Sequence, residues 1–141
     1  MTISPDQLTG SWKLMYALHE FDTSQRRYPY GPDAVGSLVF TDENRIISII
    51  IAGADCAHAP DYAMEAYSGR FALNGSEMIM TVDVSSRLEW KGQDQRRFLS
   101  LVRTRHIDLL FVTSPKQIST LYSGVPFTTA LQWSRQRHRQ L

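Results

Sequence analysis

Charged side chains interrupt two stretches that otherwise alternate as β-strands do. Asp83 lies in EMIMTVDV, and Arg96 and Arg97 are adjacent in QRRFLSLV. Successive side chains of a strand point to opposite faces, so one of the two arginines must face inward in a regular strand. Arg97 faces inward if Leu99 does, whereas Arg96 faces inward if Phe98 does.

An inward arginine needs a partner, because an unpaired buried charge is costly. Asp83 on a neighbouring strand is a candidate partner for Arg97, and this pair would be the polar centre of an internal site. Alternation places Asp83 opposite the Met78–Val84 face, so an ion pair on the outer surface is the second interpretation. The two interpretations differ in which strand faces form the core.

Asp83, Arg97 and His58 are the predicted catalytic residues. A carboxylate in an apolar cup has a raised pKa and acts as an acid or a base. An arginine beside it would stabilise an enolate, so the two groups suffice for isomerisation or cyclisation without a cofactor. His58 is included because it lies in an irregular segment that could cover the mouth of a cup.

Other chemistries find little support in the sequence. The stretch DCAH brings Asp55, Cys56 and His58 together, but the four histidines lack the spacing of metal ligands. There is no nucleophile elbow, phosphate-binding glycine loop or dinucleotide fingerprint. We therefore expect neither a metal nor another cofactor.

Aromatic side chains recur at positions that could face the interior of a sheet. They could line a ligand cup, or they could fill the core as aromatic residues often do. The indole in the loop LEWKG is the most suggestive, because a loop gives it less structural reason to be there. The predicted substrate-binding residues are Tyr16, Tyr30, Tyr67, Trp90, Phe98 and Trp133.

Composition indicates one soluble domain. The chain has 141 residues, a net charge of +1 and one cysteine, which excludes an internal disulfide framework. The small charge gives no strong attraction to nucleic acid or membrane, and the basic end SRQRHRQL is expected to be solvated. The start lacks a signal-peptide pattern, and no apolar run approaches the roughly 20 residues that span a bilayer. We expect a cytoplasmic protein, for which a homodimer is plausible.

The periodicity predicts an all-β fold. About eight strands joined mainly by short turns predict one antiparallel up-and-down barrel over residues 1–141, since closure removes exposed strand edges. Asn74-Gly75 favours a type I′ turn, residues 59–67 favour a helical turn or lid, and residues 113–127 are irregular. An eight-stranded barrel has room for one small ligand. The predicted strands are GSWKLMYALHEF, GSLVFT, RIISIIIA, YSGRFAL, EMIMTVDV, QRRFLSLV, HIDLLFV and TTALQWSR.

Five motifs along nearly the whole chain carry a family resemblance: LTGSWKL, YPYGPDAVGSLVFT, YSGRFALNG, LEWKGQDQRRF and LQWSR. In this order they resemble the bacterial and fungal lipocalin-like domain family, and YPYGPDAVG is the most specific block. The resemblance implies a small barrel in which Trp12 closes the bottom and stacks with Arg135. Members often carry histidines in the strand that holds Asp83; MIMTVDV has none, so a role resting on them does not carry over.

The resemblance also suggests a function, because related small barrels are carriers or cofactor-independent cyclases and isomerases. We expect an isomerase, cyclase or dehydratase acting on a small apolar natural-product intermediate inside the barrel. The alternative is a non-catalytic carrier of a small hydrophobic ligand, and a third hypothesis is an interaction protein with a filled barrel. The proline-rich corner at residues 28–36 would wall one rim, where Tyr28 and Tyr30 either plug the end or line the ligand.

Overall fold

Eight long antiparallel strands close into a barrel in the computed structural model, which describes residues 2–54 and 64–137. Strands adjacent in the chain pair in order, and the first long strand also pairs with the last. The predicted antiparallel, lipocalin-like barrel is therefore confirmed. The strands are β1 (Gly10–Phe21), β2 (Arg26–Arg27, a short extension beside β1), β3 (Val35–Phe40), β4 (Ile46–Ala52), β5 (Met64–Asn74), β6 (Glu77–Ser85), β7 (Asp94–Arg103), β8 (Ile107–Thr113) and β9 (Phe127–Gln136).

Helical structure in the described residues is confined to single turns. The α-helical turn α1 (Pro5–Leu8) precedes β1, with Pro5 in the first turn, where a missing N–H costs nothing. The 3-10 turns lie in connections between strands and span Glu43–Arg45, Leu88–Trp90 and Thr120–Tyr122.

The bottom of the barrel is closed by Trp12 and the groups around it. Its indole N–H donates to the Leu8 carbonyl at 2.8 Å, so α1 covers this end. The Arg135 guanidinium lies 4.1 Å from the centre of the Trp12 ring, which confirms the predicted cation–π contact. Arg135 also pairs with the buried Asp108 at 2.8 Å. This end of the barrel is structural.

A bulge in β1 decides which of its residues enter the barrel. Leu14 and Tyr16 pair with consecutive residues of β9, so Met15 is an extra residue in the ladder. One inserted residue exchanges the two faces of the strand beyond it. Ala17 and His19 consequently turn inward and are buried. Tyr16, which was predicted to face the interior, is therefore turned outward.

A second bulge lies between β5 and β6. The pairing shifts by one residue beside Gly69, which leaves Asp83 as the extra residue of β6. A Cβ at Gly69 would lie 1.9 Å from the Thr81 carbonyl oxygen, so only glycine fits at this close approach. Val82 is fully buried, whereas Asp83 and Val84 are both exposed. Asp83 faces outward as alternation from the buried Val82 requires, and the bulge turns Val84 outward as well.

Two local predictions from the sequence need correction. β5 begins at Met64, so residues 64–67 of the predicted helical turn or lid are strand, and residues 55–63 lie outside the described residues. The loop between β5 and β6 consists of Gly75 and Ser76, of which only Gly75 has a positive φ. That pattern fits a type II′ turn rather than the predicted type I′ turn.

The two halves of the barrel interior differ. Large apolar side chains fill the half next to Trp12, among them Phe40, Leu38, Met80, Leu110 and Trp133. The other end, where β1 and β4 finish and β5, β7 and β9 begin, encloses a cavity.

Candidate functional site

The proline-rich corner at residues 28–36 places the Tyr30 side chain in the open end of the barrel. Pro29 is buried, and Gly31 takes a φ of 87°, a conformation that disfavours a side chain. Between them, Tyr30 is buried and its hydroxyl donates a hydrogen bond to Glu65 Oε2 at 2.5 Å. Tyr28 is exposed. The corner therefore lines the cavity through one of its two tyrosines.

Glu65 is the first inward residue of β5 and is only 8% exposed. Its second oxygen, Oε1, lies 2.7 Å from Arg87 Nε in an ion pair that lacks hydrogen-bond geometry. The Arg87 guanidinium in turn stacks over the Trp90 ring, 4.9 Å from its centre. A buried carboxylate is tolerable here because a phenol and a guanidinium both contact it.

Tyr67 lies two residues further along β5 and faces the same cavity. The Arg97 guanidinium is within hydrogen-bonding reach of its hydroxyl. The Tyr67 ring meets Trp90 edge to face, with ring centres 5.3 Å apart. Glu65 and Arg87 act electrostatically on the same hydroxyl, so Tyr67 links the glutamate and arginine groups of the site.

Both buried tyrosines are held in the neutral form. Burial raises the pKa of Tyr30 well above its usual value of 10.0, and the Glu65 carboxylate raises it further. Burial also raises the pKa of Tyr67, although Arg97 opposes the shift. Near neutral pH the cavity therefore presents two phenols that donate hydrogen bonds and do not ionise.

Arg97 occupies the inward position predicted on the assumption that Leu99 faces in. It follows Gln95 on the inner face of β7, and Leu99 is buried beyond it. Arg97 Nη2 donates to Gln95 Oε1 at 3.2 Å, and Nη1 donates to the Arg96 carbonyl at 2.7 Å. Arg96 points outward and pairs with Glu77 at 2.7 Å.

His19 contributes a ring from the opposite wall. It is 4% exposed, and its Nδ1 lies 2.6 Å from the Tyr122 hydroxyl. Tyr122 belongs to the connection between β8 and β9, which also supplies Gln117 to the cavity wall. Gln117 Nε2 donates to Thr129 Oγ1 at 3.0 Å, which fixes this connection against β9.

These groups surround a cavity of about 330 Å³. Its polar side consists of the residues just described. Its apolar side is formed by Leu18, Ile51, Phe127, Leu131 and the Trp90 ring. A pocket that joins one apolar wall to a few convergent polar groups is the usual form of a small-molecule site.

Four of the predicted site residues line this cavity: Arg97, Tyr30, Tyr67 and Trp90. His58 lies outside the described residues. The roles predicted for these five residues remain predictions.

The other four predicted site residues lie elsewhere. Asp83 is on the outer surface and pairs there with Arg70 at 3.4 Å, so its predicted pairing with Arg97 is wrong. The second interpretation had the outward position of Asp83, but the partner comes from β5. The β1 bulge turns Tyr16 to an outer groove. Phe98 is 42% exposed because its neighbour in β7 faces inward, and Trp133 is buried in the packed half.

Glu65, His19 and Arg87 are site residues that the sequence reasoning missed. Glu65 was hidden by the helix-like composition of residues 59–67, although counting back two positions from Tyr67 would have placed it on the inner face. His19 was missed because unbroken alternation from Trp12 places it on the outer face, and the β1 bulge that turns it inward has no clear sequence signal. Arg87 lies in a connection, where periodicity gives no information.

Comparison with known proteins adds no assignment: no family model, curated protein or solved structure matches the chain. Within residues 2–54 and 64–137, no three histidine, cysteine or acidic side chains are grouped where they could hold a metal ion. In the same residues, no helix is long and apolar enough to cross a membrane.

Proposed function

We propose that this barrel is a cofactor-independent isomerase, cyclase or dehydratase that acts on a small, mainly apolar metabolite. The observation that carries the proposal is the buried Glu65 carboxylate, which lies inside a ligand-sized cavity between Tyr30 and Arg87. A carboxylate inside a ligand-sized cavity is placed to remove a proton from a carbon atom of a bound ligand.

The spacing of two groups on β5 supports proton transfer next to a carbonyl. Glu65 and Tyr67 are alternate residues of one strand, so their Cα atoms are about 6.6 Å apart on the same face. A substrate between them would offer an acidic C–H to Glu65 and the adjacent carbonyl oxygen to the neutral Tyr67 hydroxyl. Tyr67 would then donate to the enolate oxygen, where negative charge develops.

The proposed reaction balances without an added reagent. Glu65 takes the proton, the electron pair of the C–H bond forms the carbon–carbon double bond of an enolate, and the π pair of the carbonyl moves onto its oxygen. Return of the proton to a different carbon completes an isomerisation. If the enolate instead attacks a second carbonyl of the same molecule, the new alkoxide takes the proton and a ring is formed. If a β-hydroxyl leaves, it takes the proton and departs as water.

The alternative function is a carrier of a small ligand, and one observation favours it. Both oxygens of Glu65 are already engaged, by the Tyr30 hydroxyl and by the Arg87 guanidinium. In that arrangement the Glu65 carboxylate would hold the proline-rich corner and the connection after β6 in place. The cavity would then bind a ligand without transforming it. A cytoplasmic location and a homodimer remain predictions under either function.

A turnover assay separates the two functions. Purified protein would be incubated with a metabolite extract of its source, beside a heat-inactivated control, and followed by chiral chromatography with mass detection. A product of unchanged mass, or one lighter by water, that Glu65→Gln abolishes and Glu77→Gln preserves would support the enzyme. Glu77 is the matched control because it pairs with an arginine outside the barrel.

Two outcomes would contradict the enzyme proposal. Full turnover by Glu65→Gln would show that this carboxylate is not the base. If no product forms but one metabolite stays with the protein through gel filtration, the carrier function replaces the enzyme.

A further inference from the structure

We infer that the ligand of this cavity carries a carboxylate, which Arg97 binds. This inference rests on the cavity being a ligand site, as the proposed function requires, but it applies equally to an enzyme and to a carrier. It assigns Arg97 a substrate class rather than a proton-transfer role.

The charges along the cavity wall do not balance. Among the described residues that line it, Glu65, Arg87 and Arg97 carry the formal charges. Glu65 and Arg87 neutralise each other in their 2.7 Å contact. One positive charge, that of Arg97, is left inside a half-buried pocket, where an unmatched charge is unfavourable. An anion in the cavity would restore neutrality.

The partners of Arg97 differ from those of the other arginines in sheltered positions. Arg87 faces Glu65, and Arg135 at the barrel bottom faces Asp108. Arg97 contacts only neutral oxygens among the described residues: the Gln95 side chain, the Arg96 carbonyl and the Tyr67 hydroxyl. The described residues thus give the Arg97 guanidinium a fixed position without giving it a counter-charge.

The Arg97 guanidinium also has N–H donors that make no hydrogen bond to the described residues. Arginine has five N–H donors, and the three contacts of Arg97 use three of them. Two donors remain without a partner among the described residues, and two parallel N–H groups are what a bidentate carboxylate requires. The side-chain N–H₂ of Gln95, whose oxygen accepts from Arg97, is oriented by that bond as a neighbouring donor.

The rest of the cavity limits the size and character of the acid. A volume of about 330 Å³ holds roughly ten non-hydrogen atoms, taking about 30 Å³ for each as in liquid water. The apolar part of the lining consists of Leu18, Ile51, Leu131 and the rings of Phe127 and Trp90. The ligand class is therefore a small organic acid with an apolar, unsaturated or aromatic body and one carboxylate.

Matched acids and amides test this inference on the intact chain. Cinnamate and cinnamamide have the same size and shape and differ in charge, and 4-phenylbutanoate and its amide form a second, more flexible pair. Isothermal titration calorimetry at low salt should show each acid binding the wild-type protein at least tenfold more tightly than its amide. In Arg97→Gln the two members of each pair should bind within twofold of each other.

Arg96→Gln is the matched control, because it removes the same charge one residue away on the outer face of β7. It should keep the tenfold preference for the acids. A measurement without a variant accompanies it: cinnamate, but not cinnamamide, should shift the NMR signal of the Arg97 Nε–H in the wild-type protein.

Three results would overturn the inference. The wild-type protein could bind amides as tightly as acids, Arg96→Gln could abolish the preference as fully as Arg97→Gln, or neither member of either pair could bind. None of these results depends on turnover. Failure of the enzyme proposal appears only in the Glu65→Gln assay, so the two failures can be told apart.

Discussion

Replacing Tyr30 by phenylalanine should destabilise the barrel by removing one hydrogen bond at the cavity rim. The lost bond joins the Tyr30 hydroxyl to a Glu65 carboxylate that is only 8% exposed, so water cannot readily replace it. A hydrogen bond to a charged group contributes about 1.5–3 kcal/mol, and we expect Tyr30→Phe to lower the free energy of unfolding by about 2 kcal/mol.

Urea denaturation followed by tryptophan fluorescence measures this loss. With a slope of about 1.5 kcal/mol per M, a loss of about 2 kcal/mol lowers the midpoint by roughly 1.3 M. Tyr28→Phe is the control, because Tyr28 lies in the same corner with its side chain exposed, and it should change stability by less than about 0.5 kcal/mol.

A double-mutant cycle with Glu65→Gln tests whether the loss comes from this pair. The two substitutions should be non-additive by about 1–2 kcal/mol, because Glu65→Gln removes the charge of the acceptor in the hydrogen bond that Tyr30→Phe deletes. A Tyr30→Phe midpoint equal to that of Tyr28→Phe, or additive effects in the cycle, would refute the arrangement of the corner over Glu65.

Three further results are expected. Folding stability should fall as the pH rises above about 10, by up to about 1.4 kcal/mol per pH unit for each of Tyr30 and Tyr67. The reason is that these tyrosines lose their protons in the unfolded state at a pH where the folded state retains them. When both are replaced by phenylalanine, the decrease in the urea midpoint between about pH 9 and pH 11 should become smaller. Asp108→Asn should lower stability by about 3–5 kcal/mol in calorimetry because it breaks a buried ion pair, whereas Asp83→Asn, in an exposed pair, should cost less than about 1 kcal/mol; equal losses would contradict this. Binding of cinnamate should quench the tryptophan fluorescence through Trp90 alone, since the other two indoles are buried in the packed half, so quenching that persists in Trp90→Phe would show that the ligand binds elsewhere.

The barrel was predictable because its signals are local. Period-two alternation and short polar turns mark each long strand, and the predicted strands differ from the observed ones by at most a few residues at their ends. Closure then follows from the need to cover strand edges. The contact between Trp12 and Arg135 was also expected, because the family resemblance implies it.

The site was harder to predict because it depends on which face each residue occupies. Arg97 was placed correctly once the burial of Leu99 was assumed, since β7 is regular. Tyr16 was a candidate for the interior, but a bulge shifts the alternation in β1. Asp83 was a candidate too, although regular alternation from Val82 already placed it on the outer face. A bulge is a response to twist and closure of the whole sheet, so alternation read within one strand does not reveal it.

The bulge at Met15 determines which positions of β1 face the barrel interior. Upstream of it, β1 contributes apolar rings and methyl groups to the packed half, and downstream the opposite set of positions faces inward and supplies His19. Deleting this one residue would let Tyr16 follow Leu14 in a regular ladder with the same β9 partners, so His19 would still face inward. A regular ladder that kept Met15 would instead turn Tyr16 and Leu18 inward. Related barrels that pair this extra residue regularly would therefore present different β1 side chains to the cavity from nearly the same sequence.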